Sequence, residues 1–238
     1  MYKLTIVVLL MVLSGFASNE PAQNSALRVD ELLSSVRRVY ESAKTYTDVA
    51  NATRLQGRVT LAACQVRTDF IRSQSIRIES KCDRVMYQDH HVALHDRGVT
   101  RFAEITRDGT KIKEESTSID NVLPALSVNS LGYGTTITKL LTPEVKVNPM
   151  LPLTNPELRV EEAIGKIPVH VVSGMWRGSK VLLRIDKSTL LILQMEIIND
   201  FGTFEQKTTY TIEPKLNQEI PEDRFQIKAL ITATGSNK

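Results

Sequence analysis

The stretch KVLLRIDKSTLLILQMEI, residues 180–197, decides the fold of this chain. Apolar residues recur at every second position up to residue 185, a polar break follows at residues 186–188, and the alternation resumes. A period of two places these side chains on one face of a β-strand, so the stretch predicts an antiparallel hairpin with one apolar face. The predicted face consists of Val181, Leu183 and Ile185 on the first strand and Leu191, Leu193, Met195 and Ile197 on the second.

Similar strand patterns fill two regions, residues 46–107 and 167–231, where NQEIPEDRFQIKALI forms the predicted last strand. Turns at Gln56-Gly57, Asp89-His90, Arg97-Gly98 and Asp108-Gly109 separate the strands of the first region, which places His90 and His91 in a turn. The connections are too short for parallel crossovers, so the sheet is predicted to be antiparallel. A sheet of at least eight strands curls as it twists, which makes its apolar face concave.

Helical patterns occupy two other places. Apolar residues recur at intervals of three and four from residue 27 to residue 43, which predicts a long amphipathic helix with Ser25 as its cap. Two short helical patches follow between residues 119 and 141, separated by Gly132 and Gly134. The fold class is therefore α+β: a large curved antiparallel sheet, a long N-terminal helix and short helices inserted mid-chain.

Residues 142–157 contain four prolines, which exclude a regular helix or a central strand. Three apolar residues stand among them: Met150, Leu151 and Leu153. Two interpretations stay open at this point, a loop packed on the core and a mobile apolar rim beside a pocket.

The N-terminus resembles a secretory signal peptide, residues 1–17, with a basic Lys3, an apolar run at residues 4–13 and small residues after it. The run is shorter than the roughly 20 residues of a membrane-spanning helix. No cysteine directly follows the run, so the chain lacks the acylation site of a lipoprotein. We therefore expect an exported, soluble protein without a lipid anchor. A flexible leader, residues 18–25, a single domain, residues 26–232, and a flexible tail, residues 233–238, complete the predicted organisation.

Composition excludes some functions. The chain has 238 residues and a formal net charge of only +3, and its basic residues are scattered, unlike the clusters of a nucleic-acid-binding protein.

Cys64 and Cys82 are the two cysteines. They form either a disulfide, which export would permit, or two small buried apolar positions.

No sequence motif for catalysis is present: neither GxSxG nor a P-loop nor GxGxxG occurs. His91 and His95 would lie about 13 Å apart along a strand, too far to bind one zinc ion. We therefore expect no enzyme activity, no cofactor and no metal site.

Several segments together resemble the periplasmic lipoprotein-carrier-like family, in an uncharacterised branch of it. These segments are AKTYTDVANATR (residues 43–54), TDFIRSQSIRIES (68–80), DRVMYQDHHVALHD (83–96), the opening stretch (180–197) and LNQEIPEDRFQI (216–227). The resemblance spans residues 26–230. Ser73 or Gln74 replaces the usual proline of the bend, Asp89-His90-His91 replaces an Asp-Gly turn, and Ile227 replaces a closing phenylalanine.

The resemblance implies a half-open β-barrel whose apolar hollow takes acyl chains beneath a helical lid, residues 119–141. By position, Arg72 matches the bend arginine that helps to hold the lid in this family, and Arg77 matches the second arginine of the bend. The residues expected to bind a ligand are Arg72, the wall residues Val181, Leu183, Ile185, Leu191, Leu193 and Met195, and the lid residues Leu123, Leu126 and Leu140. The alternative is that the wall packs wholly against the chain's own helices.

The resulting expectation is an exported periplasmic carrier or binder of a lipid-like or acylated ligand. Its partners would be that lipid or acyl-chain ligand and a membrane protein or lipoprotein, with no nucleic acid. An alternative of another class is an envelope sensor, a regulatory protein of the same fold that binds a membrane-protein partner.

Overall fold

A computed structural model describes residues 21–85, 87–106, 108–146 and 150–226. The predicted signal peptide, the start of the leader and the predicted tail lie outside the described residues. The described residues contain three α-helices, α1 (Pro21–Ser42), α2 (Leu123–Asn129) and α3 (Tyr133–Leu141), with 3-10 helices at Ile119–Asn121 and Glu222–Phe225. Helix α1 begins at Pro21 instead of after Ser25, so residues 21–25 of the predicted leader are helical. Proline is pre-organised for the first turn of a helix.

The strands form one antiparallel sheet, as predicted. They are β1 (Thr45–Gln56), β2 (Val59–Ile71), β3 (Ser75–Arg84), β4 (Gln88–Asp96), β5 (Val99–Thr106), β6 (Gly109–Ser116), β7 (Thr154–Leu158), β8 (Glu162–Ile164), β9 (Ile167–Trp176), β10 (Ser179–Asp186), β11 (Ile192–Asp200), β12 (Glu205–Ile212) and β13 (Lys215–Leu216). The order is β6-β5-β4-β3-β2-β1-β12-β11-β10-β9-β7, with β13 on β1 and β8 on β9. The sheet is curved and open, with β6 and β7 at its ends, so the predicted α+β fold class is confirmed.

The predicted turn at Asp89-His90 is wrong, because both residues belong to β4. Their side chains bind residues of β3 instead: His90 Nε2 lies 2.8 Å from Glu79 Oε1, and Asp89 Oδ2 accepts from Arg84 Nε at 2.7 Å. The predicted last strand is also wrong within the described residues. Glu222–Phe225 forms a 3-10 helix after Pro221, residues 217–221 are not in a strand, and residues 227–231 lie beyond the described residues.

Strict alternation fails at one wall position. Ile185 pairs with Ile192 while Arg184 pairs with Gln194, so Leu193 is the extra residue of a β-bulge. Ile192 therefore enters the core, and Leu193 is only half-buried. The prediction that Leu193 shares the apolar face is wrong for this reason.

A single apolar core lies on the concave face of the sheet. Helix α1 contributes Val29, Leu33, Val36 and Tyr40 to it, which confirms the predicted amphipathic stripe. The proline-containing loop contributes Met150, Leu151 and Leu153, all of them buried. The structure thus has the loop packed on the core.

Cys64 and Cys82 form a disulfide between β2 and β3. The two residues are direct cross-strand partners with Cα atoms 4.0 Å apart, and both side chains are buried on the concave face. Cys82 Sγ lies 3.1 Å from the carbonyl oxygen of Asn129, the last residue of α2. A disulfide sulfur has no proton to donate, so this is a packing contact that places the bridge under the end of α2.

We expect the double variant Cys64→Ala/Cys82→Ala to unfold about 3 kcal/mol more easily than the wild type, because a bridge across a loop of this length restricts the unfolded chain. Urea unfolding with and without dithiothreitol measures the difference. The reductant should lower the stability of the wild type and leave the double variant unchanged. Equal wild-type curves in both buffers, with both thiols titrated as free in the reduced sample, would contradict the prediction.

Candidate ligand site beneath the lid helices

The predicted wall lies on the concave face and is covered. Val181, Leu183, Ile185 and Met195 are each at most 2% exposed. Together with Leu191 they belong to the same core cluster as the lid residues Leu123, Leu126 and Leu140. The structure therefore brings together the predicted apolar site residues, except Leu193. In this conformation the chain's own helices cover the wall, which corresponds to the packed-core alternative.

The lid, residues 119–141, is a compact hairpin of short helices. Between α2 and α3 the chain turns at Leu131 (φ 56°) and Gly132 (φ 98°), two left-handed residues. Ser130 ties the turn together, because its Oγ donates to Leu126 O at 2.6 Å and accepts from Gly134 N at 2.9 Å. A side chain on Gly134 would start 2.7 Å from Leu126 Cγ, so glycine is what allows the two helices to touch.

Arg72 joins the lid to α1. From the turn between β2 and β3, its guanidinium donates to Ala43 O at 2.7 Å, Tyr40 O at 2.8 Å and Leu141 O at 3.1 Å. Tyr40 and Ala43 lie at the end of α1, and Leu141 is the last residue of α3. One cation thus satisfies carbonyls at two helix ends, where helices lack internal donors. This geometry matches the lid-holding position that the family resemblance implies.

Three further sheet residues hold the lid near the turn between α2 and α3, and sequence reasoning missed them. Tyr210 donates to Leu131 O at 2.6 Å, Arg54 Nη2 reaches the same oxygen at 3.4 Å, and Arg84 Nη2 donates to Val128 O at 2.8 Å. The bonds at Leu131 and Leu141 hold the lid at the turn between its two α-helices and at its last residue. The signal in the sequence that could have indicated them is a polar side chain at a position of a strand whose neighbours two residues away face the core.

A buried carboxylate lies within the apolar core. Asp48 Oδ2 accepts hydrogen bonds from the hydroxyls of Tyr46, at 2.6 Å, and of Tyr133, the first residue of α3. Its Oδ1 accepts from Thr68 N at 3.0 Å. Burial raises the pKa of Asp48 to about 6, although these hydrogen bonds oppose the shift. Asp48 thus links the sheet to the lid through a charge-dependent contact that the sequence analysis did not identify.

The two tyrosines beside Asp48 stay protonated. Burial raises the pKa of the Tyr46 and Tyr133 hydroxyls well above its usual value, so both remain hydrogen-bond donors at neutral pH. In the part of the chain that the structure describes, no three His, Cys, Asp or Glu side chains come together as candidate metal ligands. None of its helices is long and apolar enough to cross a membrane.

Two open grooves lie away from the predicted wall. A groove of about 1170 Å³ crosses β1 to β5, between outward-facing polar side chains that include Asn51, Gln65, Lys81 and His90. A smaller one of about 280 Å³ lies near Arg67 and residues 218–221. Neither is lined by a predicted ligand-binding residue. The lining of the larger groove mixes polar side chains with apolar ones such as Ala63 and Ile105, and both grooves are open, unlike the covered concave face.

Arg77, the second arginine of the bend, faces away from the lid. It is buried on the outer face, where Nη1 donates to Arg224 O at 2.9 Å and Nη2 pairs with Glu79 at 3.0 Å. Arg224 in turn pairs with the buried Asp69 at 2.7 Å. The two arginines of the bend therefore serve opposite faces of the sheet: Arg72 holds the lid, and Arg77 holds the C-terminal 3-10 helix.

Comparison with solved structures places the fold among known ones. LprF from Mycobacterium bovis is 10% identical and superposes with a TM-score of 0.51 over 82% of this chain and 95% of its own. In the MucA/MucB complex of Pseudomonas aeruginosa, the matched chain is 12% identical, with a TM-score of 0.48 over 86% of this chain and 62% of its own. A LolA superfamily protein from Nitrosomonas europaea is 10% identical, with a TM-score of 0.37 over 85% and 99%.

No protein-family model matches the sequence, and no curated protein matches it. At these identities the likeness is one of fold alone. The chain has the lipoprotein-carrier-like fold that the sequence segments predicted.

We expect Arg72→Ala to lower the free energy of unfolding by about 2–4 kcal/mol, because three helix-end carbonyls lose a charged donor. Arg72→Lys should recover only part of this loss, since one ammonium group cannot reach three carbonyls in a fixed fork. Chemical denaturation measures both variants, and Arg58→Ala, an exposed turn position, is the control. An Arg72→Ala curve that coincides with that of Arg58→Ala would show that the latch contributes nothing.

Asp48 should make stability fall as pH rises. Its pKa in the folded protein is raised from 3.8 to about 6, so its contribution is complete below pH 3.8 and is lost as pH approaches 6. The wild type should therefore lose about 3 kcal/mol relative to Asp48→Asn across this interval. Measuring the free energy of unfolding from pH 3.5 to pH 7 tests this, because the range extends roughly one pH unit above the folded pKa of Asp48. The variant Asp108→Asn, on the surface, is the control. Parallel profiles for wild type and Asp48→Asn would contradict it.

Proposed function

We propose that this protein is an exported periplasmic carrier or binder of a lipid-like or acylated ligand, which binds against the concave wall beneath the lid. The observation that supports the proposal is one continuous apolar core in which the wall residues are joined by residues of two short helices. These two helices also pack on each other, at Gly134 and Leu126. Binding, and no catalysis, is the activity proposed. Removal of residues 1–17 on export is part of the same proposal.

The lid and the ligand would compete for one surface. In the structure, lid residues such as Leu126 and Leu140 pack in the same core as Leu183 and Met195. An acyl chain that displaced them would also keep the wall away from water. Each Å² of apolar area kept from water contributes about 25 cal/mol of favourable free energy. The net cost of exchange is small as long as apolar area stays covered in both states.

The polar contacts of the lid suit such an exchange. Arg54, Arg84 and Tyr210 donate to lid carbonyls, and these groups can bond to water when the lid moves. Each such bond contributes about 0.5–1.5 kcal/mol net. The lid would therefore be held firmly enough to close the core and weakly enough for a ligand to displace it. Displacement would gate binding and release.

A second candidate function is that of an envelope sensor which binds a membrane-protein partner. The open groove of about 1170 Å³ across β1 to β5 favours it, because this surface is accessible while the concave face is covered. A stoichiometric protein partner that is lost on substitution of Lys81 or His90 would support this function.

We expect Leu140→Ala to bind a dansyl-labelled undecanoic acid more tightly than the wild type, by about tenfold or more, while the apo protein becomes less stable. The truncated lid gives up contacts in the closed state that the bound state does not use. Fluorescence titration measures the affinity. Leu94→Ala is the matched control, because Leu94 is also buried but lies outside the lid–wall core. It should lose stability without gaining affinity.

Native mass spectrometry of protein purified from its host without detergent tests the proposal directly. A stoichiometric lipid-sized adduct, identified after solvent extraction, is the expected result. A clean protein mass, together with no probe binding by either the wild type or Leu140→Ala, would reject the carrier function. The partner experiment on the outer groove would then decide the sensor function.

A further inference from the structure

Exposed apolar side chains gather at one end of the sheet. This end, the tip end, lies opposite Arg72 and carries the turns that follow β1, β3, β5, β9 and β11. Of the ten large hydrophobic side chains that are exposed among the described residues, six lie here: Val59, Val85, Tyr87, Val128, Phe201 and Phe204. All three exposed aromatic ones are in this group, with Tyr87 at 59% and Phe201 at 57% exposure. An accumulation of this kind marks an interaction surface.

Strand order places these side chains on neighbouring hairpins. Val85 and Tyr87 belong to the turn between β3 and β4, Val59 follows the turn between β1 and β2, and Phe201 and Phe204 form the turn between β11 and β12. These hairpins, with β9–β10, are consecutive in the order β4-β3-β2-β1-β12-β11-β10-β9. Neighbouring tips are thus about 10 Å apart, two strand spacings. Together they form an arc along the rim of the curved sheet.

The aromatic pair is held in place. The rings of Phe201 and Phe204 lie 4.9 Å apart, and Phe201 N donates to Phe204 O at 3.0 Å across the turn. Gly202 takes φ 79°, which lets the chain reverse between them. Both rings stay exposed although they pack on each other, so they form a small apolar point at the end of the hairpin.

The fourth hairpin adds an aromatic ring with basic neighbours. Trp176 packs partly on the core, and the Arg177 guanidinium lies 5.8 Å from its ring centroid. Arg177, Lys180 and, two hairpins away, Arg58 are exposed. Tryptophan and arginine together are suited to the boundary between lipid headgroups and acyl chains. Acidic residues also lie at this end: Asp200 and Glu205 flank the phenylalanine turn, Asp83 is near the end of β3, and Asp108 lies in the turn after β5.

We propose that the tip end docks on the surface of a lipid bilayer that contains anionic lipid. Several separate points that lie along one arc fit a broad, flat partner better than a protein, whose interface centres on one packed cluster. The phenylalanine and tyrosine rings would enter the headgroup region, and Arg58, Arg177 and Lys180 would lie at phosphates. The inference rests on the proposed function in one respect: a bilayer is the source of the lipid-like ligand.

Vesicle binding of the full chain tests the docking surface. Phosphatidylcholine vesicles mixed with phosphatidylglycerol should shift the emission of Trp176, the single tryptophan, to shorter wavelength, and brominated lipid should quench it. Phe201→Ser/Phe204→Ser should bind these vesicles about tenfold or more weaker. The matched control is Val160→Ser/Ile167→Ser, which removes two exposed apolar side chains nearer the Arg72 end. The control should bind as the wild type does.

Any contribution of residues 1–17 to vesicle binding is the same in all variants, because all of them carry the same N-terminus. Mass spectrometry of each variant verifies this. Thermal unfolding confirms that each variant folds. Equal vesicle binding by the wild type and Phe201→Ser/Phe204→Ser would overturn the proposal, as would equal losses in both double variants. Binding to native membranes but not to protein-free vesicles would also overturn it, in favour of a membrane protein.

The dansyl probe separates this inference from the carrier function. Phe201→Ser/Phe204→Ser should bind the probe as the wild type does, since neither residue reaches the wall. Vesicle binding without probe binding would support the proposed docking surface and reject the carrier function. Probe binding without vesicle binding would reject the docking surface alone.

Discussion

The apolar concave face of the sheet must be kept from water, and the rest of the structure depends on this constraint. Strands with one apolar face curl into a surface that no flat layer can cover. Helix α1 covers one part, and the proline-containing loop covers another through Met150, Leu151 and Leu153. The remainder is left to α2 and α3, which have seven and nine residues. Helices this short depend on tertiary contacts for their stability.

Polar groups determine how this cover is held. Arg72, Arg54, Arg84 and Tyr210 all point from the sheet towards lid carbonyls, and Asp48 accepts from the lid tyrosine Tyr133. Buried polar groups are costly unless they are paired, so these contacts allow one arrangement of the lid and disfavour others. The pairing with Asp48 is the one that depends on protonation. The lid is consequently a distinct unit with few but directional attachments.

The two ends of the sheet differ in character. At the Arg72 end, helix termini and turns are tied together by hydrogen bonds. At the tip end, consecutive hairpins expose apolar side chains such as Val59, Tyr87 and Phe201. The carrier function that we propose would need both a closed apolar interior and a surface that meets the source of the ligand, and the two proposed surfaces lie on different parts of one sheet. The outer face, with its charged pairs around Glu79 and Asp69, is a third and separate surface.

The sequence by itself determined the strands, the antiparallel sheet, the long first helix and the short helices at residues 119–141, because periodicity reports which side chains face the core. It also identified Arg72 by resemblance, and most of the wall. It misplaced Leu193, since a bulge shifts the register and only pairing with β10 reveals it. It placed His90 and His91 in a turn, because their cross-strand partners, such as Glu79, are distant in sequence. The disulfide, the buried Asp48, the carbonyl latches and the rim of hairpin tips were decided by the tertiary structure alone. Each of them depends on which strands become neighbours, and strand order is not written in the local pattern of any one strand.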